Sequence, residues 1–282
     1  MPRQEFSSLR QGLVGAWCPS LGASGLSLID RSGRNNHGTL NNMAGQSNWR
    51  PSGGGVALNL DGTNDYVSLN RLQYIEGQSR LSVSMWVSFV QSPSVNYGLF
   101  SYGAAGGFNN DILFGYSSNA FFIQVNNGTD GNNNWSATVT GMNHLLFTFD
   151  GTKTTATDRV ALFINGQEIA YTGSFSYPAT IAGSASHVGL IGSYASSISG
   201  WYIPGQFDDI RLYNRALTLA EIRVLASRRG IGLQPLPDRA AGLPRKLSVN
   251  VGGTWRAADA YVNVGGTWKL AQASTNVAGT WR

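Results

Sequence analysis

The fold is decided by the stretch Leu81-Ser82-Val83-Ser84-Met85-Trp86-Val87-Ser88-Phe89-Val90. Apolar residues alternate with mostly small polar ones along it, and a period of two residues is typical of a β-strand with one buried face. The alternation returns at residues 160–164, directly before Asn165-Gly166. Because Asn-Gly favours the tight turn of a two-residue hairpin, residues 167–172 are predicted as the return strand.

Short apolar runs between turn residues predict further strands at residues 13–17, 56–60, 66–69, 98–102, 111–116, 121–125, 145–150, 187–192 and 207–213. One helix is predicted after Asn214, where Thr218-Leu219-Ala220-Glu221 forms a capping box. Many strands with one short helix indicate an all-β sandwich or jelly roll.

Composition and charge limit the function classes. Of 282 residues, 12% are charged and 36 are glycine, a profile suited to a turn-rich β protein. Residues 231–282 carry 6 basic and 2 acidic residues, so most of the net charge of +5 lies there. These basic residues are dispersed, which argues against a nucleic-acid partner. No run approaches the ~20 apolar residues of a membrane helix, so membrane insertion is not expected. The single cysteine, Cys18, is predicted to be buried and unreactive.

The C-terminal segment contains a repeat with a period of 13 residues. Val249-Asn250-Val251-Gly252-Gly253-Thr254-Trp255-Arg256 returns at residues 262–269 and, shortened, at 276–282. Strand residues broken by Gly-Gly predict small β-hairpins. Since a two-stranded hairpin is marginal alone, two interpretations stay open: a meander packed on its own domain, or docking on sister chains or a partner surface. Under the second, a homo-oligomer, guessed as a trimer, would assemble through Trp255, Arg256, Trp268, Lys269, Trp281 and Arg282.

Five segments between residues 12 and 230 resemble, in the same order, the laminin-G-like, concanavalin A-like jelly-roll family. They are residues 30–40 and 81–87 together with Gly12-Leu13-Val14-Gly15-Ala16-Trp17, Leu58-Asn59-Leu60-Asp61-Gly62-Thr63-Asn64-Asp65-Tyr66-Val67 and Phe207-Asp208-Asp209-Ile210-Arg211-Leu212-Tyr213-Asn214-Arg215-Ala216-Leu217. The resemblance implies two packed antiparallel sheets that bind glycans or serve adhesion, often with a bound calcium ion. We therefore predict a jelly-roll domain at residues 1–230, a linker at 231–246 and a β-repeat tail at 247–282.

Several carboxylates are candidate calcium ligands. In Asp61-Gly62-Thr63-Asn64-Asp65 the glycine relieves the turn and the two aspartates offer the oxygen ligands that Ca²⁺ requires. Asp208 and Asp209 are adjacent on one strand and are expected to face opposite sides, so that only one joins a given site. Asp30 is the further candidate. The alternative interpretation is that these carboxylates cap turns and hold no metal.

Glycan contact is a second candidate function of the loops. Amide, carboxylate and tryptophan side chains can bond sugar hydroxyls and stack on a sugar ring, and the candidate residues are Asn109, Asn110, Asp130, Asn132, Asn133 and Trp135. Ordinary turn chemistry is the alternative. No nucleophile with a base and no alternating pair of strand carboxylates is found, so the chain is predicted to be non-catalytic.

The tail repeats resemble segments near the ends of bacteriophage tail and other virion proteins. The leading hypothesis is therefore a phage structural protein, a virion decoration or tail or fibre component, that displays the jelly roll and binds capsid or tail proteins. Its location would be the virion, and host-surface glycans would be further partners. The alternatives are a secreted or cell-surface bacterial glycan-binding adhesin and, third, a glycosidase.

Overall fold

The computed structural model describes residues 6–22, 24–44, 48–53, 55–92, 94–104, 110–125, 135–172, 176–194 and 201–233. For residues 110 and 111, and for the strands between residues 247 and 281, it describes the backbone alone. The chain divides into two compact units, Met1–Gln234 and Pro235–Arg282. Ile231 and Leu233 are buried within the first unit, so it extends four residues beyond the predicted boundary at residue 230.

The strands of the first unit are, in chain order, β1 (Leu13–Trp17), β2 (Ser27–Leu28), β3 (Gly38–Asn41), β4 (Trp49–Ser52), β5 (Gly55–Asp61), β6 (Tyr66–Leu69), β7 (Arg80–Phe89), β8 (Tyr97–Ala104), β9 (Asn110–Ser117), β10 (Ala120–Val125), β11 (Trp135–Ser136), β12 (Asn143–Asp150), β13 (Val160–Ile164), β14 (Gln167–Ile169), β15 (His187–Ile191) and β16 (Pro204–Tyr213). The helix α1 spans Leu219–Ser227. In the described residues no helix is long and apolar enough to span a membrane.

These strands form two antiparallel sheets that pack face to face. The first sheet has the order β14-β13-β12-β7-β16-β5-β4, with β1 also paired to β16. The second has the order β11-β10-β9-β8-β15-β6-β3-β2. The predicted two-sheet antiparallel sandwich is confirmed. The hairpin at Asn165-Gly166 is also confirmed, although its return strand ends at Ile169 instead of residue 172.

The main core lies between the sheets. Val83, Met85 and Val87 of β7 point into it, as their alternation predicts. Phe147 of the first sheet meets Phe114 of the second edge-on, with ring centroids 5.4 Å apart. Such ring pairs contribute about 0.5–1.5 kcal/mol beyond the area they bury, so aromatic contacts across the core help to fix the spacing of the sheets.

The prediction that β7 has one buried face is wrong for its first half, because Ser82 and Ser84 on the second face are buried too, while Trp86 and Ser88 are half-buried. Ser82 and Ser84 are 0% and 1% exposed. They lie under a third layer, in which α1 and the two ends of the first unit pack a second apolar cluster on the first sheet. Ser82 Oγ donates to the Arg215 carbonyl and accepts from the Leu217 amide, while Ser84 Oγ is 2.9 Å from His144 Nε2. These two serines were predicted to face solvent, and instead their hydroxyl groups form hydrogen bonds with buried polar groups.

The predicted capping box of α1 is confirmed. The Thr218 hydroxyl accepts a hydrogen bond from the Glu221 amide, and the Glu221 carboxylate accepts one from the Thr218 amide at 3.0 Å. Arg215 also holds the Glu221 carboxylate through two bonds of 2.7 and 2.8 Å. Hydrogen bonds from Arg215 lower the pKa of Glu221 to about 2, so the carboxylate is ionised at neutral pH and fixes the start of the helix.

The second unit contains the predicted hairpins. Its strands are β17 (Leu247–Val251), β18 (Thr254–Ala258), β19 (Tyr261–Val264), β20 (Thr267–Leu270), β21 (Asn276–Val277) and β22 (Thr280–Trp281). They pair two by two, and each register leaves two residues between the strands. The side chains of Trp255, Arg256, Trp268, Lys269 and Trp281, and the whole of Arg282, lie outside the described residues.

Candidate functional site

The turn at residues 61–65, here called the acidic turn, brings two predicted carboxylates together where the chain passes from the first sheet to the second. Gly62 has a φ of +77°, a conformation that favours glycine. Asp61 Oδ1 accepts a hydrogen bond from the Thr63 amide at 2.7 Å. Asp65 Oδ2 accepts bonds from the Asp61 amide at 3.1 Å and from Asn48 Nδ2 at 3.0 Å. The turn-capping role considered from the sequence is therefore present.

The two carboxylates of the acidic turn have different proton affinities. Partial burial acts to raise the pKa of Asp61, but hydrogen bonds from backbone amides of the turn outweigh it and lower the pKa. Burial raises the pKa of Asp65, and the charge of Asp61 raises it further. Asp61 Oδ2 and Asp65 Oδ1 accept no hydrogen bond from the described residues. Oxygens of this kind suit Ca²⁺, so these two residues fit the cation that the resemblance implies.

Asp30 lies in a separate turn between β2 and β3, where its carboxylate serves the backbone. Its oxygens accept hydrogen bonds from the amides of Ala16, Ser32 and Asn36 at 2.8–2.9 Å and from the Ser32 hydroxyl at 2.7 Å. These four donors tie β1 to the turn. Throughout the described ranges, no three Asp, Glu, His or Cys side chains come together as metal ligands.

Asp208 and Asp209 lie at a β-bulge of β16 and are paired with arginines. Arg211 Nε and Nη2 lie 2.7 and 2.9 Å from the two oxygens of Asp209. Arg229 Nη1 lies 3.2 Å from Asp208 Oδ2. The register shift and the φ of +44° at Asp209 break the regular alternation. Both carboxylates consequently contact the segment at residues 229–230, which overturns the expectation that they face opposite sides.

This paired cluster is buried, and each of its carboxylates lies within 3.2 Å of an arginine. Asp208 is 0% exposed, and burial raises the pKa of its carboxyl group. Burial acts to lower the pKa of Arg211, but the carboxylate of Asp209 outweighs this and the pKa is raised. Arg211 Nη2 also donates to the Ile231 carbonyl at 2.7 Å. The cluster holds the end of the first unit onto β16 and lies apart from any open surface.

Next to the acidic turn lies a pair of half-buried tyrosines, Tyr66 and Tyr202, here called the tyrosine pair. Their ring centroids are 6.2 Å apart and the rings are inclined by 32°. Tyr66 begins β6, whose Val67 points into the core, so Tyr66 lies on the outer face of the second sheet. Asn41 of β3 is in register with Tyr66, and its Nδ2 donates a hydrogen bond to Ser68 Oγ at 2.9 Å. Aromatic rings and hydrogen-bonding groups therefore share this face.

The outer face carries a row of residues aligned across six strands, here called the outer strip. Register and burial assign to it Thr39, Ser68, Leu190, Ser101, Leu113 and Gln124. Its middle is covered: Ser101 Oγ donates to the Ser193 carbonyl at 3.1 Å, and Leu113 packs in a cluster with Tyr194 and Trp201. The Tyr194 and Trp201 rings stack at 4.8 Å. Thr39 is exposed and Ser68 is half-buried, so the strip is open at this end, beside the tyrosine pair.

The loops predicted to contact glycans are described only at their margins. Asn109, Asp130, Asn132 and Asn133 lie outside the described residues, as does the side chain of Asn110. Trp135 is described and is 0% exposed, with its ring 5.1 Å from that of Tyr171. A buried ring offers no face to a sugar, so the prediction for Trp135 is wrong. The tyrosine pair was not predicted from the sequence. The available signal was Tyr66, which directly follows the acidic turn and precedes the core residue Val67.

The sequence profile described as the concanavalin A-like lectin/glucanases superfamily matches residues 61–223. The chain belongs to this superfamily. The match starts at the acidic turn and includes Tyr66, Tyr202 and β16. It confirms the resemblance to the concanavalin A-like family. Comparison with curated protein sequences gives no match.

Solved structures share this superfamily's sandwich at low sequence identity. A Trypanosoma rangeli sialidase is 18% identical with a TM-score of 0.53 over 76% of this chain and 32% of its own. Domain 4 of AbnA, a GH43 extracellular arabinanase from Geobacillus stearothermophilus, in complex with arabinotriose, is 20% identical with a TM-score of 0.55 over 76% and 98%. The binding domain of botulinum neurotoxin serotype D/C is 14% identical with a TM-score of 0.54 over 77% and 52%. The chain thus spans about a third of the sialidase, and at these identities the likeness shows the fold alone.

Proposed function

We propose that the first unit is a glycan-binding module, and that its ligand contacts the tyrosine pair together with Asn41 and Ser68. The observation that carries the proposal is the half-exposed ring pair beside amide and hydroxyl groups on one face. Aromatic rings pack against the apolar faces of sugars, and a few fixed polar groups orient the hydroxyls. The superfamily and the arabinotriose complex of AbnA domain 4 support a carbohydrate ligand.

Binding without catalysis is the second part of the proposal. A glycosidase requires two carboxyl groups that flank the scissile bond. Asp208 and Asp209 are buried against arginines and do not reach this face. Asp61 and Asp65 share one turn and bond its amides. In a glycosidase, replacing one of these aspartates would abolish sugar hydrolysis. We expect the parent chain to hydrolyse no glycan.

The experiment is a glycan-array screen of the full chain and of single alanine variants. We expect Tyr66→Ala and Tyr202→Ala to lose about tenfold or more of the affinity for any glycan retained, as is typical of aromatic hot spots. The matched control is Tyr74→Ala, because Tyr74 is 40% exposed, packs under Arg34 and follows the end of β6 opposite to Tyr66. Retention by the tyrosine-pair variants, or its loss in the control, would contradict the assignment of the site.

We further propose that the whole chain is a structural component of a bacteriophage particle, a decoration or a tail or fibre protein. The observation in its favour is the second unit, where three hairpins with equivalent register follow one another. Separate two-stranded hairpins are marginal alone, so partner surfaces, either virion proteins or sister chains, would stabilise them. Mass spectrometry of purified particles should find the chain at a fixed copy number. If it is absent from particles but secreted and bound to cells, the adhesin alternative holds.

A further inference from the structure

We infer that the glycan bound at the tyrosine pair is uncharged. The inference rests on the proposed function and names its ligand class. The six positions of the outer strip are all apolar, hydroxyl or amide residues, and no carboxylate, guanidinium or ammonium group is among them. The neighbouring Asn41, Tyr66 and Tyr202 add rings, an amide and phenol groups.

Acidic sugars need a different surface. Proteins hold a carboxylate or sulfate mainly with arginine, lysine or converging backbone amides, because charge-assisted hydrogen bonds compensate its desolvation. In the described residues no arginine or lysine forms an ion pair with Asp61 or Asp65. The turn's own amides at Thr63 and Asn64 already donate to Asp61. Asp65, a carboxylate, directly precedes Tyr66 in the chain. A negative charge beside the ring favours a neutral ligand over an anionic one.

The form of the face also favours a short ligand segment. The exposed end of the outer strip, at Thr39 and Ser68, spans β3 and β6, while Leu190, Ser101 and Leu113 are buried. Ser27 of β2, in register with Thr39, is half-buried and continues this end. Neighbouring strands lie about 4.8 Å apart, so the open part is about three strands wide before the covered middle begins. Neutral sugar units that stack on Tyr66 or Tyr202 can reach Ser68 and Asn41, whereas a longer chain must leave the sheet at the covered middle.

The test is isothermal titration of the full chain with matched oligosaccharides. Lactose, arabinotriose and maltotriose are the neutral probes, and sialyllactose and trigalacturonate are the acidic ones. We expect binding of at least one neutral probe, with an affinity that changes less than about twofold between about 50 mM and about 500 mM salt. Tyr66→Ala and Tyr202→Ala should weaken that binding about tenfold, and Tyr74→Ala should not.

The outcomes separate the two claims. Tighter binding of sialyllactose than of lactose, weakened by salt and dependent on the tyrosine pair, would overturn the uncharged ligand and leave the proposed glycan function standing. Binding of a neutral probe that is insensitive to both tyrosine substitutions would overturn the site. If no probe and no array glycan binds, the proposed function fails and the inference fails with it.

Discussion

The ion pair of Asp209 and Arg211 carries a large stability prediction. Both side chains are nearly inaccessible, at 2% and 1% exposure, and two hydrogen bonds of 2.7 and 2.9 Å join them. The perturbation is Asp209→Asn, which removes the negative charge and keeps the shape. Because asparagine tolerates positive φ better than most residues, the backbone conformation of +44° is preserved. The variant therefore isolates the charge.

The expected cost follows from burial. Arg211 stays protonated, since a guanidinium does not lose its proton in proteins, and is left as a buried cation without its carboxylate. Breaking a buried pair from one side costs about 3–5 kcal/mol. For a unit of this size that corresponds to a fall in melting temperature of roughly 6–20 °C. Since domains are stable by only about 5–15 kcal/mol, the variant should be markedly weakened.

Urea denaturation followed by circular dichroism, together with calorimetry, measures this loss. The matched control is Asp150→Asn, which removes the charge from the pair with Arg80, where Arg80 is 50% exposed. Exposed pairs contribute at most about 1 kcal/mol, so the control should change little. If Asp209→Asn costs no more than Asp150→Asn, the buried pair does not hold the unit together and the reasoning is refuted.

Three further predictions concern acid, calcium and the tail. His144 is buried beside Arg211, and its pKa is lowered to about 3, mainly by burial and further by the charge of Arg211. The imidazole therefore stays neutral in the folded state, whereas in the unfolded chain it is protonated below about pH 6.5. The free energy of unfolding should consequently fall by roughly 1 kcal/mol for each pH unit below that value. Urea titrations should show a flatter pH dependence for His144→Gln than for the parent chain; equal slopes would contradict this. Millimolar Ca²⁺ should raise the melting temperature and a chelator should lower it, with the shift lost in Asp61→Asn; no shift in the parent chain would favour turn capping. Replacing Trp255, Trp268 and Trp281 with alanine should abolish attachment or assembly, measured by particle occupancy and light scattering, and leave the jelly roll folded; normal occupancy would exclude the repeats as the docking element.

Much of the fold can be predicted from local sequence patterns, because a strand with alternating apolar residues must bury one face. The period of two at β7 and β13, the Asn-Gly hairpin and the Thr218 capping box each predict their element without tertiary information. The third layer, formed by α1 and the second apolar cluster, cannot be predicted in this way. Ser82 and Ser84 have the polarity of solvent-facing residues, and only the packing of α1 reveals that their hydroxyls serve buried partners.

The site is readable to a smaller extent. The turn at Asp61 and Asp65 is predicted because both carboxylates lie in one motif. The bulge at Asp209 is not, since nothing in the sequence around Asp208 signals a register shift. Tyr202 is more than 130 residues from Tyr66 in the chain, and the pairing of Pro204 with Asp61, which brings the two tyrosines close together, is a tertiary feature.

The most direct test of the central claim is a two-dimensional NMR titration of the full chain with the tightest neutral oligosaccharide found on the array. We expect chemical-shift changes to concentrate at Asn41, Tyr66, Ser68 and Tyr202 and to saturate with the ligand. Shift changes confined to another surface, with these four residues unmoved at saturation, would contradict it.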